Sequence, residues 1–368
     1  MGDGSSILEA VGLMLSPDFW KGKRVFLTGH TGFKGSWLSF LLHHLESKVT
    51  GYALDPTPNS DVFEKLGVAE KVQDLRGDVR DLAHISTALE TSQPEVVLHL
   101  AAQSIVRTSF DQPLETISTN ALGTANLLEA CRSVSSLRSL LIVTSDKCYK
   151  NTGESTPFSE ADPLGGNDLY SASKACTEII SEAFRVSFFE RKSLVGLATA
   201  RAGNVIGGGD WAKDRILPDA IRAFNENKVL KVRNPTAIRP WQHVLEPLSG
   251  YLLLAECLYN DPHKFSSSWN FGPNPEDSVP VSALCDLIIK AHGGGASWQT
   301  QNEAGAPPEA PSLRLSTEKA LRELRWAPRW NLESAVARTI EWYIAARAGE
   351  NVAALTQNQI AEYLGYQS

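Results

Sequence analysis

A short apolar run, Lys23-Arg-Val-Phe-Leu-Thr28, leads without a break into Gly29-His-Thr-Gly32-Phe-Lys-Gly35. Residues 36–46 then carry apolar side chains at helical spacing, and residues 48–54 return to strand character. Strand, glycine turn, helix and strand in that order form the opening unit of a doubly wound sheet. The alternation continues downstream. Residues 95–100 and 140–144 read as short buried strands, 116–132 as a helix between them, and 194–199 as a strand after the helix that begins near Tyr170.

The predicted fold class is α/β, a Rossmann-type parallel sheet covered by helices on both faces. Residues 20–205 read as its nucleotide-binding domain, with about 235–272 expected to return to it. Pro and Gly thicken after about residue 205. Residues 206–234 and 273–350 therefore read as a smaller, discontinuous, mostly carboxy-terminal substrate-binding lobe. Within it, Gly293–Pro311 is a loop by composition, and 317–324 and 332–346 read as helices. Residues 1–19 form an N-terminal extension.

A helix that starts on glycines presents unpaired N–H groups and a partial positive charge, which suits a diphosphate. The spacing here is G-x-x-G-x-x-G, and a purely structural glycine turn would read the same. Asp55 follows Gly29 by 26 residues, at the end of the second strand, where a carboxylate can accept both ribose hydroxyls. It would repel a 2′-phosphate, so NAD is expected rather than NADP; a turn residue before Pro56 is the alternative. Asp78 suits the adenine side, although a loop cap would look alike.

The second signal is Tyr170-Ser-Ala-Ser-Lys174. Positions i and i+4 share a helix face, so an ammonium group can lower the pKa of a phenol that is otherwise near 10. Such a phenol can take a proton from a sugar hydroxyl. Ser145-Asp146-Lys147 stands at the carboxyl end of a predicted parallel strand, where open α/β sheets place their sites. Ser145 can complete a hydroxyl/Tyr/Lys triad. Asp146 and Lys147 are more acid and base than simple oxidation requires, which points to a further proton transfer; an exposed, salt-bridged loop is the plainer reading. Arg201, Lys213, Arg215 and Arg239 are candidate diphosphate clamps.

The net charge of −7 argues against nucleic acid or an anionic membrane surface as a partner. No apolar stretch approaches the ~20 residues of a membrane helix. Five scattered cysteines without a CxxC pair or Cys/His cluster predict no metal site and no disulfide framework, and fit a reducing cytoplasm.

These residues together resemble the extended short-chain dehydrogenase/reductase family, and within it the sugar-nucleotide 4,6-dehydratases. The resemblance runs from Phe19 to about Tyr343 and rests on Thr28-Gly-His-Thr-Gly-Phe-Lys-Gly-Ser-Trp37, His99-Leu-Ala-Ala-Gln103, Thr144-Ser-Asp-Lys-Cys-Tyr149, Ala200-Arg-Ala-Gly-Asn-Val-Ile-Gly-Gly-Gly-Asp-Trp211 and Arg239-Pro-Trp-Gln-His-Val244. It implies a tightly held NAD, CDP-glucose as substrate, a 4-keto-6-deoxy product and a homodimer formed through helices near 116–132 and 170–188. It also implies cofactor contacts from Gly29, Thr31, Gly32, Phe33, Lys34, Gly35, Asp55, Asp78, Val79, Leu100, Ala101, Ala102, Tyr170 and Lys174. Substrate contacts are implied for Gln103, Arg107, Asn204, Arg215, Arg239 and His243.

Asp146 would be the acid for the departing hydroxyl. In relatives acting on dTDP-glucose a glutamate stands where this chain has Lys147, so the lysine is either a neutral base or an ammonium that stabilises an enolate. The family's later His-Glu-Ala and Leu-x-Leu-Asp appear as Pro308-Glu-Ala310 and Leu313-Arg-Leu-Ser316. A 4-epimerase, and a nucleotide-sensing protein without activity, are the competing readings. Only elimination of water calls for the Asp146-Lys147 pair.

Overall fold

A computed structural model describes residues 15–57, 61–153, 156–190, 194–301 and 312–365. In chain order the strands are β1 (Arg24–Thr28), β2 (Lys48–Ala53), β3 (Gln73–Arg76), β4 (Val96–His99), β5 (Ser139–Val143) and β6 (Gly196–Ala202). They continue with β7 (Asn204–Ile206), β8 (Leu230–Val232), β9 (Ile238–His243), β10 (Ser268–Phe271), β11 (Ser278–Pro280) and β12 (Trp298–Thr300). Seven of them form one parallel sheet in the order β10-β6-β5-β4-β1-β2-β3. The expected α/β class holds.

The sheet is parallel because its strands are apolar along their whole length. All five residues of β5 are buried, as are all seven of β6, so helices must cover both faces. One face packs Trp37, Leu38 and Leu41 of the helix Phe33–His44 against Leu248, Leu252 and Leu254 of the helix Leu245–Asn260. The other packs Ile85, Leu89, Leu127 and Leu128 against Phe26, Val97 and Leu140. Each such leucine contributes about 1.5–3 kcal/mol by burial.

Chain order places the site. From β1 the chain winds outward to β2 and β3, then crosses back to β4 and winds the other way. The two directions part between β1 and β4, and a crevice opens there above the carboxyl ends of the strands. Thr28 pairs with His99 across this point, and the Thr28 hydroxyl lies 2.7 Å from His99 Nδ1. That hydroxyl also accepts from the N–H groups of Leu100 and Ala101, which holds the two strand ends together.

A second, three-stranded sheet, β11-β9-β7, and the β12-β8 pair lie beyond the main sheet. β12 falls inside Gly293–Pro311, which composition reads as loop; Trp298 gives it a partly buried side chain, and its backbone pairs with β8. Residues 302–311, including Pro308-Glu309-Ala310, and residues 1–14 lie outside the described residues. The terminal helix Val352–Leu364 is fastened by Tyr363, whose hydroxyl donates to buried Glu246 at 2.7 Å. The same carboxylate accepts from the N–H groups of Arg329 and Trp330.

Candidate active site

The glycine turn sits at the crevice. Gly29 has φ +77°, and a Cβ there would lie 2.7 Å from the Ala101 nitrogen. A Cβ on Gly35 would lie 2.0 Å from the Gly29 carbonyl oxygen. Only glycine lets the turn close this tightly. The twelve-residue helix that follows starts on Gly32 with no side-chain cap, so its first N–H groups face the crevice for a ligand. Asp55 stands beyond β2 with its side chain 88% exposed, 3.5 Å from the Arg76 guanidinium. This cradle fits a dinucleotide: glycine backbone for the diphosphate and a carboxylate for the ribose. Thr31 anchors the loop through its hydroxyl to the Leu54 carbonyl. Val79 is buried against Gly123.

Across the crevice, β5 ends in Thr144 and the chain turns through a short 3-10 segment, Asp146–Cys148. Ser145 caps that turn by accepting from the Lys147 N–H at 3.3 Å, and its hydroxyl donates to Asp146 Oδ1 at 3.0 Å. Lys147 Nζ meets the same oxygen at 3.1 Å. Asp146 is fully buried, and its other oxygen, Oδ2, has no partner. A Cβ on Gly203 would come within 3.2 Å of that oxygen, so the glycine between β6 and β7 leaves the carboxylate room. A buried carboxylate oxygen without a partner is costly, which makes it a candidate for chemistry.

Tyr170 and Lys174 lie on the helix Leu169–Phe184, capped by Asp168, and both are buried. Burial pushes the Tyr170 phenol up to about 12, against the pull of the Ser145 hydroxyl. The helical spacing predicts depression of this phenol by Lys174; in the folded chain desolvation is the largest influence and raises it. Burial also lowers Lys174 to about 8, opposed by the Glu178 carboxylate one turn further on. Lys34, in the glycine turn, is lowered to about 7 by burial and by the nearby charges of Arg215 and Lys174. Its electrostatic neighbours also include Asp146 and Lys147, so Lys34 joins the cofactor loop to the acid/base pair.

Several residues expected to make contacts are engaged within the protein. Arg201, a candidate clamp, is 3% exposed and its guanidinium is bound to Glu178 at 2.8 Å. His243 is fully buried beside Trp37 and Trp330, and burial depresses it to about 3. Its ring packs edge-on against both indoles. Gln103 spends its amide on Thr116 and on the Ile105 N–H, shaping its own turn. The Asp78 carboxylate is taken by Arg80, the loop-cap arrangement. Asn204 lies 3.5 Å from Lys147 Nζ, beside the acid/base pair. Arg215 pairs with Asp210 and reaches Ser104, while Arg107 lies 3.6 Å from Asp214. Arg239 is largely buried on β9 and donates to the Ile238 carbonyl. Leu100, Ala101 and Ala102 border the crevice after β4, and Phe33 packs partly against the core. Sequence reading missed Arg76 and Glu178, since neither stands in a recognisable spacing with its partner.

Fold and site together are those of an extended short-chain dehydrogenase/reductase, and the chain belongs to the family described as GDP-mannose 4,6 dehydratase, whose model matches residues 26–339. It is 45% identical over 355 residues to the CDP-glucose 4,6-dehydratase of Salmonella typhimurium, covering 95% of this chain and 99% of that protein. It is 27% identical to a dTDP-glucose 4,6-dehydratase of Xanthomonas campestris, over 86% and 92% of the two chains. Among solved structures it resembles dTDP-glucose 4,6-dehydratase from Bacillus anthracis in complex with NAD, with TM-score 0.74 and 20% identity over 90% and 99% of the chains. A UDP-glucuronic acid 4-epimerase from Bacillus cereus shares the fold at TM-score 0.75 and 21% identity, over 88% and 99%. Among the described residues no helix is long and apolar enough to cross a membrane.

Proposed function

We propose that this chain converts CDP-glucose to CDP-4-keto-6-deoxyglucose with a resident NAD, a step of deoxysugar biosynthesis. The observation that carries the reading is the Asp146–Lys147 contact at 3.1 Å beside the Tyr170/Lys174 helix. The 45% identity to a CDP-glucose 4,6-dehydratase supports the choice of nucleotide.

Bound NAD supplies an acceptor for hydride from carbon 4 and a donor of it to carbon 6. The remaining work falls to side chains. Tyr170, with Lys174 as ammonium beside it, takes the proton of the 4-hydroxyl. The new ketone acidifies carbon 5, and Lys147 as the free amine removes that proton. Asp146, protonated, gives its proton to the departing 6-hydroxyl, which leaves as water. Elimination thus ends in a carboxylate and an ammonium, the pair seen at 3.1 Å. Lys147 then returns a proton to carbon 5. The proton held by Tyr170 passes through the Ser145 hydroxyl, 3.0 Å from Asp146 Oδ1, and recharges the acid. Two protons leave the sugar and two are given back, one of them on water. Arg215, Arg239 and Asn204 are assigned in this reading to the nucleotide's diphosphate or nucleoside.

Incubation with CDP-glucose should yield a product lighter by one water, read by mass spectrometry. A product of unchanged mass with inverted carbon 4 would make the chain an epimerase. CDP-glucose should outrun dTDP-, GDP- and UDP-glucose in the same assay. Because Lys174 titrates near 8, its ammonium is lost as pH rises through that value, and kcat/KM should fall on the alkaline side. Initial rates across neutral and alkaline pH check this; a flat profile well past that point removes Lys174 from the mechanism.

The enzyme is a homodimer in this reading. Phe110, Leu114, Ile117 and Leu122 on the segment Val106–Cys131 are exposed, as are Ile179 and Val186 on the adjoining 169–189. Exposed apolar side chains gathered on neighbouring helices mark a protein–protein contact. Sedimentation should give a dimer for the parent and a monomer for a Leu114→Glu/Ile179→Glu variant; a monomeric parent ends the idea. Five unpaired thiols suit the cytoplasm, which cell fractionation tests.

A further inference from the structure

Beneath the catalytic turn lies an ion pair to which the mechanism assigns no proton transfer, although its carboxylate also opposes the lowering of Lys174. Glu178 and Arg201 are 2% and 3% exposed and meet at 2.8 Å. Glu178 is four residues beyond Lys174 and eight beyond Tyr170, on one face of one helix. Its carboxylate accepts from the Thr144 hydroxyl and, at 2.6 Å, from the Thr199 hydroxyl. Arg201, from β6, donates through its second nitrogen to the Tyr149 hydroxyl at 2.8 Å and lies over the Tyr149 ring. Tyr149 is fixed in turn by Asn270 of β10 at 2.7 Å and by stacking on Phe158. Thr144 and Tyr149 are the residues that bracket Ser145-Asp146-Lys147-Cys148.

We propose that Glu178 and Arg201 are positioning residues: their salt bridge clamps both ends of the 144–149 turn to the helix that carries Tyr170 and Lys174. It thereby sets the acid/base pair in register with the phenol. The physical reason is that a buried ion pair contributes little net stability, since desolvation offsets the attraction, and its best-attested use is to fix one arrangement among several. Here the arrangement is specific. One carboxylate holds the start of the turn, one guanidinium holds its end, and neither reaches the crevice. Asp146 keeps an unpartnered oxygen, so nothing on its own side chain beyond the Ser145 and Lys147 contacts determines where that oxygen points.

The proposal rests on the dehydratase reading for its kinetic consequence, and its structural consequence stands apart. The double variant Glu178→Gln/Arg201→Met removes both charges at once, so neither is left buried alone. Amide hydrogen exchange across 144–149 in the ligand-free protein should quicken in this variant relative to the rest of the sheet. With CDP-glucose, kcat should fall by about ten- to a hundredfold with KM little changed, as a displaced catalytic group demands. In a quenched single turnover the 4-keto sugar that still holds its 6-hydroxyl should build up. Tyr149→Phe, which frees only the far end of the turn and keeps the ring, should show the same changes in smaller measure and covers the case in which the double variant does not fold. Unchanged exchange across the turn overturns the clamp whether or not CDP-glucose is the substrate. Faster exchange with an inactive parent overturns the dehydratase reading instead, and a kcat equal to the parent's overturns the catalytic role.

Discussion

Replacing Tyr170 with phenylalanine is expected to lower kcat by at least about a hundredfold, the usual worth of a positioned proton acceptor. The change removes one oxygen from a side chain that is 7% exposed and leaves the ring, so the core meets no cavity. The fold and the glycine cradle should therefore persist, and nucleotide affinity with them. What is lost is the phenol that interacts with Ser145. Burial holds that phenol up to about 12, so it is inert by itself and becomes a base only when Lys174 and a bound sugar share its charge. The loss should appear in kcat far more than in KM, because the phenol's strongest interaction is made as the proton moves. Steady-state kinetics together with a thermal midpoint close to the parent's would carry the point. Near-normal turnover would leave the helix Leu169–Phe184 without a chemical role.

The first half of the molecule was legible because its signals are local. Apolar runs such as Leu140–Val143 can only be strands covered on both sides, and the glycines of 29–35 stand within a few residues of one another. Tyr170 and Lys174 declare themselves by a helical spacing. What stayed hidden depends on distance in sequence. Arg201 reads as a candidate diphosphate clamp until β6 brings it to Glu178, 23 residues earlier, and the two charges pair in the interior. The resemblance implies a substrate contact for His243, yet in the fold its ring meets Trp37, 206 positions before it. The strand β3 escaped for a different reason. Gln73–Arg76 is an edge strand without a fully buried residue, and its polar side chains serve His30 and Arg76 in place of the core. Lys34 shows the same limit, since its nearness to Asp146 and Lys147 is a property of the crevice and of no motif.

Lys147→Met should separate the two halves of the reaction, slowing elimination by about 10²–10⁴-fold while oxidation at carbon 4 survives, a barrier change of about 3–5 kcal/mol. Methionine keeps most of the length of the side chain and, at 29% side-chain exposure, little packing is disturbed. The contact to Asp146 Oδ1 disappears, and with it the amine that would take the carbon 5 proton. Asp146 is then buried with only the Ser145 hydroxyl on it. An acid without its base can protonate the leaving hydroxyl but cannot open the bond to carbon 5, so the sugar stops as a ketone that has lost no water. Tyr170, Lys174 and Ser145 are untouched, and they suffice for the first step. A quenched single turnover in deuterated water tests the division twice. The 4-keto sugar should accumulate at its full mass, and carbon 5 should take up no deuterium. If the variant instead yields dehydrated product at the parent rate, or fails at oxidation as badly as at elimination, Lys147 is not the base. The pair at 3.1 Å would then be a structural salt bridge at the edge of the crevice, and the proton at carbon 5 would have to be taken by another group within reach, of which Lys34 is the first to examine.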